Sequence, residues 1–484
     1  MNNKKDILLT AINAKWIHPS LALRLLKANL DSLEDSCEII EFALRQPLAE
    51  KLEPLLAARP RILGISVSVW NHSAALELLE ELDKIWTELS LSERFIKPVV
   101  VLGGPEVSHL PQDAKIFQYA DFIIRGEGET AFRVLCEDIL KGGNKMFGDR
   151  PEKLIACEPG NLSKIKTAYH LYTDEDINKK LIYVESSRGC VFNCEFCLSA
   201  VADNKVRQFP LDQFLAEMDI LIKRGVKTFK FLDRSFNINI PRALRIIEFF
   251  LDKIFQKNQS SLRSNPFVVH FEMVPSIFPQ ELLDALASFP PETLRLEIGI
   301  QTLNPEAAAR ISRLSNPEKE LQTLRFLREK TNAIIHADLI AGLPGEDIES
   351  FGRGFDLLWE VLAPDENESG HPRFEIQLGI LKQLPGAPIS RLNETFGMRY
   401  NPLPPYEIEE TAAISAENLR RIKNFARFWE LIVNRGLKTF SKKPVFGNFL
   451  ILSDKLFAHF GRNWGIDKYE LTSIAGKLCF WDNL

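Results

Sequence analysis

Residues 187–197 read Ser187-Arg188-Gly189-Cys190-Val191-Phe192-Asn193-Cys194-Glu195-Phe196-Cys197. This stretch holds three of the chain's seven cysteines, in the spacing Cys-x3-Cys-x2-Cys, and the other four stand singly at Cys37, Cys136, Cys157 and Cys479. Thiolates so close together on one loop can converge on one iron–sulfur cluster, which is bound by cysteine sulfur. With only three such ligands, one iron of a four-iron cluster keeps an open position. We therefore predict that Cys190, Cys194 and Cys197 bind a 4Fe-4S cluster.

The alternative for this loop is structural zinc, which normally takes four ligands. No Cys or His follows Cys197 at the spacing of a zinc knuckle, and the next histidine downstream is His270. An odd number of cysteines, mostly scattered, also does not resemble a disulfide framework. We interpret the four single cysteines as small buried apolar residues.

The cysteine loop follows the first of six strand-like runs that alternate with helical patterns between residues 181 and 390. Six strand–helix units are too few for a closed eight-stranded barrel, so they predict a partial, TIM-like (β/α)6 barrel. Active sites of such barrels lie at the C-terminal ends of the strands, as the cysteine loop does. The predicted strands are Leu181–Glu185, Lys227–Asp233, Phe267–Met273, Leu294–Ile300, Ala333–Ile340 and Phe374–Leu381.

Residues 1–140 form a separate α/β pattern of short apolar runs and amphipathic stretches. Continuous β-branched runs separated by helices predict a parallel sheet covered on both faces, which is a doubly wound, Rossmann-like domain. Such domains bind ligands beyond the C-terminal ends of their strands. The unusual residues lie there, in the segments Asn13–Pro19, Ser66–His72, Gly103–Pro105 and Arg125–Glu129.

The remaining segments carry weaker patterns. Residues 141–180 are polar without clear periodicity and are predicted to be a linker. Residues 391–484 read mostly as helix and are rich in aromatic side chains, which are more often core than recognition surface. The predicted fold class is therefore α/β, with a mostly helical C-terminal domain.

Composition limits the class of protein. The chain of 484 residues is 45% hydrophobic and 26% charged, both ordinary for globular proteins. Its formal net charge of −5 provides no global basic field, so nucleic acid is an unlikely partner. No stretch approaches 18 uninterrupted apolar residues, and the N-terminus lacks signal-peptide features. We predict a cytoplasmic protein with no membrane partner.

The cysteine motif, with Phe196 before its last cysteine, resembles the signature of the radical S-adenosylmethionine (SAM) superfamily. In that family the methionine amino and carboxylate groups of SAM chelate the open iron. An electron from the reduced cluster then gives a 5′-deoxyadenosyl radical. The resemblance implies SAM as a cofactor beside the 4Fe-4S cluster, and Phe196 as a SAM contact. It also implies a low-potential electron donor of the flavodoxin or ferredoxin type.

Two later segments resemble the fourth and fifth strands of the coproporphyrinogen-oxidase-like radical branch, namely Glu297–Thr302 and Asp338–Glu346. This resemblance implies that Gln301 and Arg313 hold the methionine carboxylate, whose planar shape suits a guanidinium. It also implies that Glu272 and Asp338 accept hydrogen bonds from ribose hydroxyls or from the methionine amine.

One segment departs from the family pattern. After the second strand the family usually carries a Gly-Gly-Glu-like motif for the methionine amine, whereas this chain reads Leu232–Asn237. Asp233 is the acceptor in that segment and is assigned to SAM. Arg234 would repel an ammonium group and is expected to face the substrate instead.

A doubly wound domain before a radical barrel resembles the cobalamin-binding arrangement of many superfamily members. Glycine lets the backbone approach the buried nucleotide tail of cobalamin. The family's Asp-x-His-x-x-Gly cobalt-ligand motif is missing after the first strand, so we predict cobalamin with an unligated lower face. Residues 13–20, together with the aromatic C-terminus, resemble a subgroup whose last domain has no assigned function. The predicted cobalamin contacts are Trp16, His18, Ser66, Ser68, Gly103, Gly104 and Glu127.

The resemblance implies a cobalamin-dependent radical SAM methyltransferase that acts on an unactivated carbon of an unidentified small-molecule or peptide substrate. One alternative keeps the radical step but uses cobalamin for rearrangement or cyclisation without methyl transfer. Another is a non-catalytic iron–sulfur or cobalamin sensor. The SAM-site residues, Arg313 among them, argue against a sensor, because a sensor needs no SAM site.

Overall fold

The computed structural model describes residues 5–92, 95–142, 153–201, 205–259, 267–363, 373–436 and 445–478. Contacts between Cα atoms divide the chain into two compact units. Unit 1 comprises Met1–Ser186, Arg207–Lys230 and Leu384–Gly386. Unit 2 comprises Ser187–Val206, Phe231–Gln383 and Ala387–Leu484. Cys479 lies outside the described residues, as do parts of the predicted linker and of the C-terminal domain.

The strands of the described chain, in order, are β1 (Ile7–Asn13), β2 (Cys37–Ala43), β3 (Ile62–Ser66), β4 (Val99–Gly103), β5 (Phe122–Arg125), β6 (Leu154–Ala156), β7 (Ile182–Val184), β8 (Ser187–Arg188), β9 (Arg207–Gln208), β10 (Thr228–Phe231), β11 (Val268–Met273), β12 (Leu294–Gln301), β13 (Ile334–Ala341), β14 (Phe374–Ile380), β15 (Arg399–Tyr400) and β16 (Ile408–Glu410).

The α-helices are α1 (Leu21–Ala28), α2 (Leu48–Ala58), α3 (His72–Ser92), α4 (Glu129–Leu140), α5 (Asp174–Lys179), α6 (Leu211–Arg224), α7 (Ile240–Gln259), α8 (Gln280–Ala287), α9 (Pro305–Arg310), α10 (Pro317–Lys330), α11 (Ile348–Leu362), α12 (Asn393–Phe396), α13 (Ala416–Trp429), α14 (Phe446–Phe460) and α15 (Lys468–Leu478). None of these helices combines the length and apolarity that crossing a bilayer requires.

The first sheet has the strand order β2-β1-β3-β4-β5-β6, and its strands run parallel. Alternate residues of β1 enter different apolar clusters. Leu8 and Ile12 belong to one cluster, while Ile7 and Leu9 belong to the other. Because successive side chains of a strand point to opposite faces, this division shows that β1 is covered on both sides. The prediction of a doubly wound parallel sheet is confirmed.

One part of unit 1 differs from the sequence pattern. The segment predicted as a linker, 141–180, contains strand β6 and helix α5. Helix α5 is held by a buried ion pair, in which Arg24 Nη2 lies 2.8 Å from Asp176 Oδ2. Strand β3 ends at Ser66, because the next residues form a turn in which the Ser68 N–H donates to Asn71 Oδ1 at 2.8 Å.

The second sheet has the strand order β14-β13-β12-β11-β10-β7. Its six strands overlap the six predicted ones, and the partial barrel is confirmed. In β12 the even-numbered residues, such as Leu296 and Ile298, are fully buried, whereas the alternate residues are less so. The period-2 alternation therefore leaves Glu297, Gly299 and Gln301 on the opposite face of this strand.

The C-terminal helices pack on a helix of the barrel, within unit 2. The rings of Phe355 and Trp359 on α11 lie 4.8 Å and 5.2 Å from the Trp429 ring on α13. Gly352 leaves room for the Phe446 ring, since a Cβ there would lie 2.5 Å from it. Edge-to-face aromatic pairs at these separations are favourable. The aromatic residues of α13 and the start of α14 are therefore core.

Candidate functional site

The cysteine loop begins at a glycine that no other residue could replace without strain. Gly189 has a φ of +95°, and a Cβ there would lie 2.1 Å from the carbonyl oxygen of Lys205. Only glycine adopts this conformation and this close approach without cost. The chain then turns back on itself, and the Cys197 N–H donates to the Cys194 carbonyl at 3.0 Å. The tight turn brings the second and third cysteines close together.

All three cysteines of the loop line one cavity of about 250 Å³ in unit 2. The Ser235 hydroxyl donates to Cys190 Sγ at 3.3 Å, and Arg313 Nη1 lies 3.9 Å from Cys194 Sγ. Burial raises the pKa of the Cys194 thiol, and the Arg313 charge opposes that shift. Cationic and hydroxyl donors around sulfur stabilise the thiolate that an iron ligand must be.

The donor set fits an iron–sulfur cluster better than a single metal ion. In the described part of the chain, no three His, Cys, Asp or Glu residues converge as the ligands of one ion. Among the residues that line this cavity, no fourth cysteine and no histidine is described. Three thiols around a space larger than one ion agree with a cluster that keeps one iron open.

The wall opposite the cysteines comes from three neighbouring strands of the barrel. Glu272 on β11 is in register with Glu297 on β12, and Gly299 is in register with Asp338 on β13. Glu272, Glu297 and Asp338 all line the cavity. Parallel strands in register place the same face of each strand toward the barrel interior. The predicted residues Glu272 and Asp338 are therefore brought to the cysteines.

Strand β12 carries a bulge where it reaches the cavity. The register with β13 shifts between Gly299 and Gln301, and Gln301 has a φ of +69°. A Cβ on Gly299 would lie 2.5 Å from Gln301 Nε2. Bulges redirect side chains beside functional sites. The missing side chain at Gly299 thus makes room for the Gln301 amide, which lines the same cavity.

Arg313 spans the cavity from the bulge to the cysteine loop. Its Nη2 donates to the Gly299 carbonyl, and its Nη1 faces Cys194. Its Nε is buried and has no hydrogen-bond partner among the described residues. A buried donor without a partner is unfavourable, so this nitrogen is suited to an incoming acceptor such as a carboxylate. The observation agrees with the site that the methionine carboxylate of SAM requires.

In the segment that departs from the family motif, Leu232–Asn237, the residue predicted to contact SAM lies outside the cavity. Asp233 is 1% exposed and accepts a hydrogen bond from the Ser187 hydroxyl at 2.6 Å, and it is not among the residues that line the cavity. Its neighbour Arg234 does line the cavity and lies 3.6 Å from Glu272. The structure thus brings Phe196, Glu272, Gln301, Arg313 and Asp338 to the cysteines, and leaves Asp233 beside them.

Glu297 is a residue of the cavity that sequence reasoning missed. Strand alternation could have identified it, since it lies two residues before Gly299 and four before Gln301, on the same face of β12. Arg234 was expected to face the substrate and does line the cavity.

The candidate cobalamin residues lie in unit 1, at the C-terminal strand ends. Gly103 ends β4, and Gly104 follows with a φ of +107°. A Cβ on Gly104 would lie 2.5 Å from the Val67 carbonyl oxygen and 3.2 Å from Ser66 Oγ. Gly103, in contrast, meets nothing closer than 3.9 Å. Gly104 is thus required by its own neighbours, whereas Gly103 leaves open backbone that a ligand can approach.

The other candidates in unit 1 have protein partners. His18 Nδ1 lies 2.8 Å from the Tyr183 hydroxyl, and burial with nearby lysines lowers the His18 pKa. Trp16 is 47% exposed, although the Lys180 ammonium lies 5.0 Å from the centre of its ring. The ion pair of Glu127 with Arg207 uses both carboxylate oxygens. The sequence did not predict these partners.

Comparison with known proteins agrees with both halves of the chain. Residues 7–136 match the B12 binding domain, and residues 184–358 match the radical SAM superfamily. A ribosomal protein uS12 methylthiotransferase from Carboxydothermus hydrogenoformans is 25% identical over 52% of this chain and 58% of its own length. The 2-(S-pantetheinyl)-carbapenam-3-carboxylate methyltransferase of Streptantibioticus cattleyicolor is 24% identical over 71% of this chain and 50% of its own.

Among solved structures, the cobalamin-dependent SAM radical enzyme OxsB with aqua-cobalamin bound has a TM-score of 0.65 at 16% identity, covering 98% of this chain and 75% of that one. That similarity shows a shared fold. The chain spans about half the length of the curated relatives it matches. The two matched domains imply a 4Fe-4S cluster, SAM and cobalamin as cofactors. The chain thus combines a B12-binding domain with a radical SAM domain.

Proposed function

We propose that this protein is a cobalamin-dependent radical SAM methyltransferase that acts on an unactivated carbon. One observation carries the proposal: three cysteines and the Gln301–Arg313 pair line a single cavity in a chain that also has a B12-binding domain. A sensor would need the cysteines without the carboxylate-binding pair. The similarity to a carbapenam carboxylate methyltransferase supports methyl transfer as the reaction.

The proposed roles follow from what each side chain offers. Cys190, Cys194 and Cys197 would hold the cluster, and the hydroxyl of Ser235 and the guanidinium of Arg313 stabilise their thiolates. When bound, the three cofactors supply one-electron chemistry and the methyl group, which protein side chains cannot provide. The protein's own task is to bind them, orient them and keep water away.

Arg313 and Gln301 are proposed to orient the SAM carboxylate. The Gly299 carbonyl and Cys194 fix two nitrogens of the guanidinium, so the third is presented in one direction. A preorganised donor loses little entropy when its acceptor arrives. Asp338 and Glu272 provide carboxylates on the same wall for hydroxyl or ammonium groups. Because Glu297 lines the cavity and Asp233 does not, Glu297 is the better placed additional carboxylate.

In unit 1, Gly103 and its neighbours Ser66 and Ser68 are proposed to receive cobalamin at the ends of β3 and β4. The hydrogen bond of His18 Nδ1 to Tyr183 favours a structural role for that imidazole. This supports cobalamin without a lower protein ligand. Trp16, as an exposed aromatic residue at the end of β1, is a proposed contact.

The proposed partners are a low-potential electron donor of the flavodoxin or ferredoxin type and a small-molecule or peptide substrate. Radical SAM enzymes need a reductant. The expectation of a cytoplasmic protein rests on the sequence.

Product analysis tests the function. The protein is reconstituted anaerobically with iron, sulfide and cobalamin, reduced, and incubated with SAM before mass analysis. Formation of both S-adenosylhomocysteine and 5′-deoxyadenosine is expected, and the Cys194→Ala variant should form no deoxyadenosine. Deoxyadenosine alone would contradict methyl transfer and favour a rearrangement or cyclisation. Neither product, with an intact cluster, would contradict radical catalysis.

A further inference from the structure

The cysteine loop carries a buried carboxylate that no proposed role has used. Glu195 stands directly after Cys194, and its residue is 3% exposed. An ionised carboxylate is expensive to bury unless it is paired and hydrogen-bonded. Here Arg391 Nε donates to Glu195 Oε2 at 3.0 Å, and Arg391 Nη2 donates to Oε1. This two-pronged geometry is the strongest form of an arginine–carboxylate pair.

A third donor reaches the same carboxylate from a different segment. The Ser312 hydroxyl donates to Glu195 Oε1 at 2.7 Å. Ser312 immediately precedes Arg313, and it has a φ of +53°, an uncommon value outside glycine. The carboxylate is therefore one residue from a predicted cluster ligand, and its hydroxyl partner is one residue from the predicted SAM ligand.

Main-chain hydrogen bonds join the same three segments. The Glu195 N–H donates to the Ile311 carbonyl at 3.0 Å, and the Ile389 N–H donates to the Glu195 carbonyl at 2.8 Å. All of these residues belong to unit 2. These five hydrogen bonds of Glu195 tie the cysteine loop to the turn before Arg313 and to the segment after the last barrel strand.

We propose that Glu195 is a positioning residue, whose buried carboxylate, held by Arg391 and Ser312, fixes the cysteine loop relative to Arg313. The inference rests on the proposed function, because it gives that spacing a purpose. The open iron would chelate the amino and carboxylate groups of SAM while the Arg313 guanidinium holds the same carboxylate, so the distance between loop and guanidinium must fit one small group. A shift of the loop would leave both ligands present but mismatched. Substitution of residues that support metal ligands commonly lowers metal affinity or activity about 10–100-fold.

The test compares Glu195→Gln with a variant that removes the carboxylate of another arginine ion pair in unit 2. Glu195→Gln keeps the size of the side chain and one acceptor oxygen but removes the charge. The control, Asp454→Asn, removes a carboxylate that Arg421 Nη2 approaches at 2.8 Å on the C-terminal helices. For each reconstituted protein we would measure the apo melting temperature, iron per chain, and SAM affinity from the spectral change of the reduced cluster.

We expect Glu195→Gln to retain iron but to bind SAM about tenfold more weakly, while Asp454→Asn matches the wild type in both. Arg391→Gln should resemble Glu195→Gln, and Arg391→Lys should recover part of the affinity because it restores a cation. The Arg391 side chain is 65% exposed, so its variants decide the matter if Glu195→Gln does not fold.

Wild-type SAM affinity in Glu195→Gln, or in Arg391→Gln where Glu195→Gln fails to fold, would overturn the inference. A lowered melting temperature with unchanged SAM affinity would also overturn it, since that result describes a purely structural ion pair. Failure of the wild type itself to assemble a cluster or bind SAM would instead overturn the proposed function.

Discussion

The two candidate sites of this chain differ in whether their predicted residues line a cavity or already contact other protein groups. In unit 2, five of the six predicted SAM residues join the three cysteines around one cavity, and the buried Arg313 Nε has no hydrogen-bond partner among the described residues. In unit 1, His18 contacts Tyr183, Glu127 pairs with Arg207, and Gly104 is required by Val67. A small cofactor that is bound by chelating side chains can be recognised from the residue types of its site. A large cofactor that is received by backbone and shape leaves fewer marks on individual side chains.

The largest expected effect separates the cysteines of the two units. Cys194→Ala should abolish the cluster, because it leaves only two thiolate ligands. Cys157→Ser, in unit 1, should bind as much iron and sulfide as the wild type after anaerobic reconstitution. Iron analysis and visible absorption measure both. Full iron content in Cys194→Ala would contradict the assignment of Cys194 as a cluster ligand.

A second contrast uses two glycines with the same backbone angle. Gly189 and Gly225 both have a φ of +95°, yet a Cβ on Gly225 would meet nothing within 4 Å. Both alanine variants incur left-handed strain of about 1 kcal/mol. Only Gly189→Ala adds a clash with the Lys205 carbonyl, so only that variant should lose most of its iron. Equal iron content and equal melting temperatures in the two variants would contradict the loop geometry.

The role of Arg313 predicts an intermediate effect. Arg313→Lys keeps a charge but not the planar fork, and we expect SAM affinity to fall about 10–100-fold, as for the loss of a charge-assisted hydrogen bond. Equilibrium binding to the reconstituted cluster measures this. The control is Arg310→Lys, which should bind SAM normally. Arg310 pairs with Glu306, and both residues lie on α9. Equal affinities in the two variants would contradict the assignment.

Two adjacent glycines test the proposed cobalamin site of unit 1. Gly104→Ala should lower the melting temperature, because its Cβ would lie 2.5 Å from the Val67 carbonyl. Gly103→Ala has room within the protein, so it should keep the wild-type melting temperature and lose cobalamin affinity only. Cobalamin titration followed by absorption distinguishes the two. Unchanged affinity in Gly103→Ala would argue against cobalamin at the end of β4.

The smallest effect concerns a buried carboxyl next to the β12 bulge. Glu346 accepts from the Thr302 hydroxyl at 2.7 Å, and burial raises the Glu346 pKa to about 7. A raised folded-state pKa stabilises the protein below the unfolded pKa near 4.5, and that stability is lost as pH rises toward 7. Melting temperatures of the wild type should fall over this pH range relative to those of Glu346→Gln. Parallel profiles would contradict the raised pKa.

Much of the candidate site could be predicted because the residue types and their spacing along the chain indicate the chemistry. Cysteine spacing, Gln301, Arg313 and Asp338 were recognisable in the linear chain. The partners of Asp233 and Glu127 were not, because Ser187 and Arg207 lie 46 and 80 residues away in sequence. The same holds for Glu195 and Arg391, separated by 196 residues. Such pairs depend on which side chains the fold brings together, and a single sequence carries no signal for them.

The fold shows a similar division. Apolar and β-branched runs predicted the six strands of the second sheet to within a few residues. The short strand β6 escaped, because its three residues show no periodicity and its pairing with β5 is set by the sheet. The end of β3 also depended on a tertiary contact, since Asn71 Nδ2 donates to the Ile12 carbonyl at 2.9 Å.

In the proposed site, three sulfur ligands leave one iron free for SAM. Hyperfine spectroscopy of the reduced, reconstituted protein with SAM labelled in its methionine carboxylate and amine tests this most directly. We expect couplings from both labelled groups to the cluster, and their loss in Cys194→Ala. A reduced cluster that shows no coupling to either group at saturating SAM would contradict it.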